Sequence, residues 1–221
     1  MKEATTKSIN QLLNIKESYQ ASDKLMSILF DKKEREELFK NFLDQSWDIT
    51  QDWFHIYFQD EHADRKMKKQ DFTPSSISEI IVKMLGSEND NGTRLDVAAG
   101  TGGITIQKWF DDRKSVPFFD YRPSQFIYQC EELSDRALPF LLFNLSIRGM
   151  NAVVLHGDAL TREFKQVYFI QNDIDDYLCF SSINVFPHNK MVERSFDVKK
   201  WIDEPVDYIE SPVFDWMKGA V

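Results

Sequence analysis

The chain has 221 residues, of which 42% are hydrophobic and 14% aromatic, and 36 acidic against 27 basic side chains give a formal net charge of −9. This length and apolar content are enough for one large domain with a packed core and exclude a disordered chain, while the acid excess argues against a protein that coats nucleic acid by general electrostatics. No run has the apolar length of a membrane span and the N-terminus lacks the apolar segment of a signal peptide; Cys130 and Cys179 stand apart in strand-like runs, so the chain reads as cytoplasmic, without a disulfide or a metal site.

Up to about residue 70 the pattern is helical. Asp31-Lys32-Lys33-Glu34 has capping-box spacing, and Leu38, Phe39, Phe42, Leu43 and Trp47 recur at helical intervals after it. Ile49, Trp53, Ile56 and Tyr57 suggest a second helix running into the mixed charges of residues 60–69, a solvated helix end whose lysines form the best basic patch available. These apolar and aromatic side chains need burial. Residues 1–70 are therefore expected as a helical region packed beside an α/β domain of residues 71–221, or as one continuous unit with it. Thr73 and Pro74 stand as N-cap and first position of a further helix, whose Ile77, Ile80, Ile81, Met84 and Leu85 share one apolar face before Gly86.

In the stretch Leu95-Asp96-Val97-Ala98-Ala99-Gly100-Thr101-Gly102-Gly103, a buried parallel strand ending at Val97 to Ala99 turns through glycines into a helix that begins with Ile104, Lys108 and Trp109. Glycines let backbone N–H groups approach a ligand, and the helix presents the positive end of its dipole there. Ile104-Thr105 stands where a phosphate-cradling loop needs Lys-Ser/Thr, and Asp96 at the strand tip suits a polar or cationic ligand better than a phosphate. Phe126 to Cys130 follows as a second strand with Glu131 and Glu132 at its end. Residues 134–148 then form a helix in which Pro139 lies in the first turns or makes a kink, and Ala152 to His156 a third strand ending in Gly157-Asp158. Strand, helix, strand, helix, strand is a doubly wound α/β pattern, and Val167 to Ile170 and Leu178 to Phe186 are further strand candidates. Asp96, an acid of the second strand and Asp158 would share the carboxyl edge of one sheet, where such folds bind ligands. A carboxylate at the second strand accepts both hydroxyls of a ribose and one at the third accepts an adenine amino group, which suits a nucleoside cofactor.

These residues resemble a family, the adenine-N6 DNA methyltransferases of the kind found as modification subunits of type I restriction systems, here in a compact, phage-type version. Gln70-Asp71-Phe72-Thr73-Pro74 is similar to the family's Gln-x-Phe/Tyr-Thr-Pro motif, and Asp96 to Gly103 to its Asp-Pro-x-x-Gly-Thr-Gly-Gly motif, with Val97 in place of the proline. Tyr128 to Leu133 with Asn144-Leu145 and Arg148-Gly149-Met150, and then Gly157-Asp158-Ala159-Leu160, resemble its next two segments, so that the likeness covers about residues 50–165. It implies a Rossmann-like, S-adenosylmethionine-dependent methyltransferase sheet with an N-terminal helical region. It also implies S-adenosyl-L-methionine as cofactor, held by Phe72, Thr73, Pro74, Asp96, Ala98, Gly100, Thr101, Gly102, Gly103, Asp158, Ala159 and Leu160. Glu132 would hold the ribose, with Glu131 its rival.

The family's catalytic Asn/Asp/Ser-Pro-Pro-Tyr/Phe is absent in that form. Its chemistry needs carbonyl acceptors for the target amino group and an aromatic ring against the flipped base. Ser211, Pro212 and Phe214 are the nearest approach, after the strand-like Val206 to Ile209. Two functions are thus expected: methyl transfer to adenine in DNA that is held weakly without help, or a catalytically inactive member of the fold that acts on a protein partner, as in phage regulation or anti-restriction. A protein partner or a homo-oligomer and no membrane complete the expectation.

Overall fold

The computed structural model describes residues 4–45, 47–55, 75–85 and 93–212. Thr5 caps α1 (Thr6–Leu13) by accepting the Ser8 N–H, and the helix stops at Asn14 in the left-handed conformation. α2 (Ala21–Leu29) and α3 (Lys32–Leu43) follow, and Asp31 caps α3 by accepting the Glu34 N–H at 3.0 Å, as the capping-box spacing requires. The helix expected from Ile49 does not form there. Asp48 accepts the Thr50 N–H and Asp52 the Phe54 N–H, local bonds that compete with helical ones, and helical geometry begins only at Phe54 and His55. The charged stretch of residues 60–69 and the Thr73-Pro74 cap lie outside the described residues.

After α4 (Ser75–Leu85) comes the α/β region: β1 (Thr93–Val97), α5 (Gly103–Ser115), β2 (Ile127–Glu132), α6 (Leu138–Ile147), β3 (Ala152–Asp158), β4 (Glu163–Gln171), β5 (Ser182–Val185), α7 (Lys190–Phe196) and β6 (Lys200–Trp201). The strands form one mixed sheet in the order β1-β2-β3-β4-β5, with β6 beside the start of β4. β1, β2 and β3 are parallel, whereas β4 returns antiparallel beside β3 and β5 antiparallel beside β4. The apolar runs 167–170 and 178–186 are thus strands, longer and shorter respectively than their sequence suggests. Cys179 falls in the loop before β5 rather than in a strand.

Side chains alternate across the sheet, which separates two cores. Ala152, Val154, Tyr168, Ile170, Ile183 and Val185 face the helices of the larger core, while Val153, Leu155, Val167 and Phe169 face α7. On the larger face α5 and α6 cover the parallel strands, and the N-terminal helices extend the layer over β4 and β5, where Phe30 meets Tyr168. Every residue of α6 is buried because it lies between the sheet and these helices, with Phe143 against Phe39, Phe42 and Phe54. Burial all round explains its uniformly apolar sequence. Pro139 occupies its first turn, where the missing N–H costs no helical bond.

β1 differs from its expected state. It ends at Val97, and it is the edge of the sheet among the described residues, with Leu95 60% and Val97 50% exposed. It reads as buried from sequence because an apolar pair flanking an acid does not reveal whether a neighbouring strand exists.

Candidate functional site

The corner between β1 and α5 is shaped by left-handed residues. Ala98 (φ 67°), Gly100 (φ 60°) and Gly102 (φ 93°) turn the chain so sharply that the Gly102 N–H bonds back to the Ala99 carbonyl at 2.9 Å. A non-glycine residue in this conformation costs about 1 kcal/mol, and such strain gathers at sites where backbone must be presented. A Cβ on Gly102 would stand 2.9 Å from Leu141 Cδ1, so its glycine also lets the loop lie against α6.

Carboxylates gather around this loop. Glu132, buried at the end of β2, accepts the Gly100 N–H at 2.6 Å and the Ser134 N–H at 2.7 Å. Asp96 accepts the Thr105 hydroxyl at 2.7 Å in the first turn of α5; burial raises its pKa, the Thr105 hydroxyl opposes the rise and the nearby Glu132 adds to it. Asp52, which sequence reading passed over, accepts the Thr101 hydroxyl and, at 2.9 Å, the Asn144 amide. Asn144 also donates to the Thr101 carbonyl at 2.8 Å. Buried Arg148 completes this network, donating to the carbonyls of Ile49, Gln51 and Asn144 and to Asn144 Oδ1. Burial lowers its pKa to about 10, against the attraction of Asp52 and Asp48.

Strand alternation separates the two glutamates. Glu132 lies on the α5 and α6 side with Cys130, whereas Glu131 points to the other face and receives Arg162 Nη1 at 2.6 Å and Gln129 Nε2 at 3.0 Å. Glu132 is the one at the glycine loop. Ala98, Gly100, Thr101, Gly102 and Gly103 surround the corner with Asp96 and Glu132. Asp158, Ala159 and Leu160 stand at the same sheet edge, two strands away and so about 10 Å across. Asp158 accepts the Leu160 N–H at 2.8 Å and the Thr161 N–H at 3.4 Å; the first bond chiefly lowers its pKa. Leu160 is 91% exposed. Phe72, Thr73, Pro74 and Phe214 lie outside the described residues.

Ser211 and Pro212 are not brought to this corner. Asn184 Oδ1 accepts the Ser211 N–H at 3.1 Å, Asn184 Nδ2 donates to the Ser211 hydroxyl, and Gln171 Nε2 donates to the Pro212 carbonyl at 3.0 Å. Neighbouring Glu210 takes the guanidinium of buried Arg35 at 2.5 Å, tying the segment to α3. These residues run along the outer side of β5, four strands and so about 19 Å from β1, and Gln171 ends β4 at the amino edge of the parallel strands. The Val206 to Ile209 run that precedes them forms a single bridge to Asn184 and not a strand.

No described helix is long and apolar enough to cross a membrane. A comparison with curated proteins finds no match. Residues 47–178 match the family model of the N-6 DNA methylases, a span that contains Asp52, the glycine corner, Glu132, Arg148 and Asp158, and the chain belongs to that family.

Proposed function

We propose that this chain binds S-adenosyl-L-methionine at the carboxyl edge of β1, β2 and β3 and serves the methylation of adenine N6 in DNA. The observation that carries the reading is the set of three carboxylates, Asp52, Asp96 and Glu132, around a loop of left-handed residues. Such a corner repels a phosphate and favours a ligand that combines cationic groups with ribose hydroxyls. Oxygens of Glu132 keep acceptor capacity beyond the Gly100 and Ser134 N–H groups, enough for a ribose. Asp96 and Asp52 attract the positive end of the ligand, Asp158 accepts the adenine amino group once it is released from its own turn, and exposed Leu160 covers one ring face. When bound, the cofactor supplies an electrophilic methyl group on a sulfonium. The protein's part is to fix its direction and exclude water, since orientation carries most of such a transfer.

The position of Ser211 and Pro212 favours a second reading, a family member that binds cofactor without transferring methyl groups and acts through a protein partner. Tritiated cofactor and mixed-sequence DNA at low salt, followed by digestion to nucleosides, separate the two. N6-methyladenine above the level of the Asp96→Ala variant supports the enzyme. Cofactor binding without transfer supports the second reading, and label on another base overturns the adenine assignment.

A further inference from the structure

Residues 48–53 pass beside the glycine corner without regular structure, and side chains from the helices hold their backbone. Arg148, the cap residue of α6, donates to the Ile49 carbonyl at 2.9 Å and to the Gln51 carbonyl at 2.7 Å, while Gln107 of α5 donates to the Thr50 carbonyl at 2.9 Å. Three successive carbonyls thus find their partners at least 57 residues away in the chain, where a helix or a sheet would have supplied them locally. The Arg148 guanidinium also lies 5.1 Å from the ring of buried Trp53. One side chain therefore grips both the backbone and a ring of this strap.

Asp52 passes this placement on to the corner. Its Oδ2 accepts the Thr101 hydroxyl and its Oδ1 the Asn144 amide. Arg148 Nη1 bonds to Asn144 Oδ1 at 2.9 Å, which fixes the rotation of that amide and turns its nitrogen to Asp52 and the Thr101 carbonyl. The peptide joining Thr101 to Gly102 is thereby held at both ends, its carbonyl by Asn144 at 2.8 Å and its N–H by the Ala99 carbonyl at 2.9 Å. Thr101 lies between two left-handed glycines, the residues with the greatest backbone freedom in the corner, so a restraint from outside the loop selects one loop shape. Thr101, Asn144 and Arg148 are buried, where a lost bond leaves a polar group unpaired.

We propose that Arg148 is a positioning residue for the glycine corner: through the strap at Asp52 and the amide of Asn144 it sets the peptide between Thr101 and Gly102 in the orientation that receives the cofactor. The cofactor part rests on the reading above, whereas the hold on the corner is read without ligand. The test uses full-length Arg148→Lys, which keeps the charge and loses the fork of donors. In ligand-free protein the amides of Ala99, Gly100 and Gly102 exchange at least about tenfold faster in the variant, as do those of residues 48–54. The amides of Arg162 and Val198, whose bonds go to Asp158 and Glu193, keep their rates. Calorimetry gives a loss of affinity for S-adenosyl-L-methionine of at least about tenfold. Gln107→Ala, at a half-buried position of α5, carries the test if Arg148→Lys does not fold, and moves both readings the same way by about threefold. Faster exchange in residues 48–54 with unchanged exchange at the corner overturns the proposal, because Arg148 then holds the strap alone. Equal acceleration at Arg162 and Val198, which marks a general loss of stability, also overturns it, as does unchanged affinity despite a loosened corner. Absence of binding by the wild type, with the corner loosened in the variant, sinks the cofactor reading and supports the hold of Arg148 on the corner.

Discussion

His156 sits at the inner end of β3, beside Glu132 in the strand register, and is buried. Its Nε2 lies 2.9 Å from Asp135 Oδ1. Burial lowers its pKa to about 4, and the attraction of Asp135 only partly opposes this. The unfolded chain titrates this group near 6.5, so below that pH the unfolded state binds the proton more readily than the folded one. The resulting loss of stability is absent above about pH 6.5, grows as the pH falls to about 4, and amounts to roughly 3 kcal/mol at the lower end. Urea unfolding between pH 7 and 4 reads it, and the His156→Gln variant is expected to lose most of that slope. An unchanged slope in the variant would assign the acid sensitivity to other groups.

Among the elements, the β3–β4 hairpin most directly shapes the carboxyl edge. The register shifts between His156 and Gly157, and a Cβ at Gly157 (φ +155°) would meet the Glu163 carbonyl oxygen at 2.3 Å. Backbone cannot yield as a side chain does, so Gly157→Ala is expected to cost about 3 kcal/mol or more. Gly103→Ala is the control. Its nearest neighbour, Asp52 Oδ2, is 3.9 Å away, and its stability is expected to stay within about 0.5 kcal/mol of the wild type. Denaturant midpoints compare the two.

The alternation of strand and helix from Leu95 to Asp158 was legible because apolar periodicity, Gly149 and the glycine corner punctuate it strongly. The antiparallel return of β4 and β5 was not, since an apolar run carries no direction. Nor was α7, whose cap is the lone Asn189, accepting the Met191 and Val192 N–H groups at 3.0 Å. The same limit governs the site. Glu131 and Glu132 are adjacent and indistinguishable as letters, and only the pleat turns one to Arg162 and the other to Gly100. Asp52 meets Thr101 and Asn144 across 49 and 92 residues, separations over which local pattern is silent. Ser211-Pro212 resembles part of the family's catalytic motif, but its bonds to Asn184 and Gln171 belong to the opposite end of the sheet.

At the scale of the molecule, a helical layer spans one face of the sheet and shelters a corner rich in carboxylates. Holding a nucleoside cofactor with a positive centre is the central claim, and it does not depend on DNA or on a partner. Calorimetric titration of the full-length chain with S-adenosyl-L-methionine, alongside Glu132→Ala and Glu131→Ala, tests it most directly. Binding of one ligand per chain is expected, with affinity lowered at least about tenfold by Glu132→Ala, which removes a charge-assisted acceptor. Glu131→Ala is expected to keep the affinity and lose stability, because it removes the buried carboxylate from the Arg162 pair and leaves that guanidinium only its Phe196 and Asp197 partners. No binding by the intact chain, or equal loss in both variants without unfolding, would contradict the account.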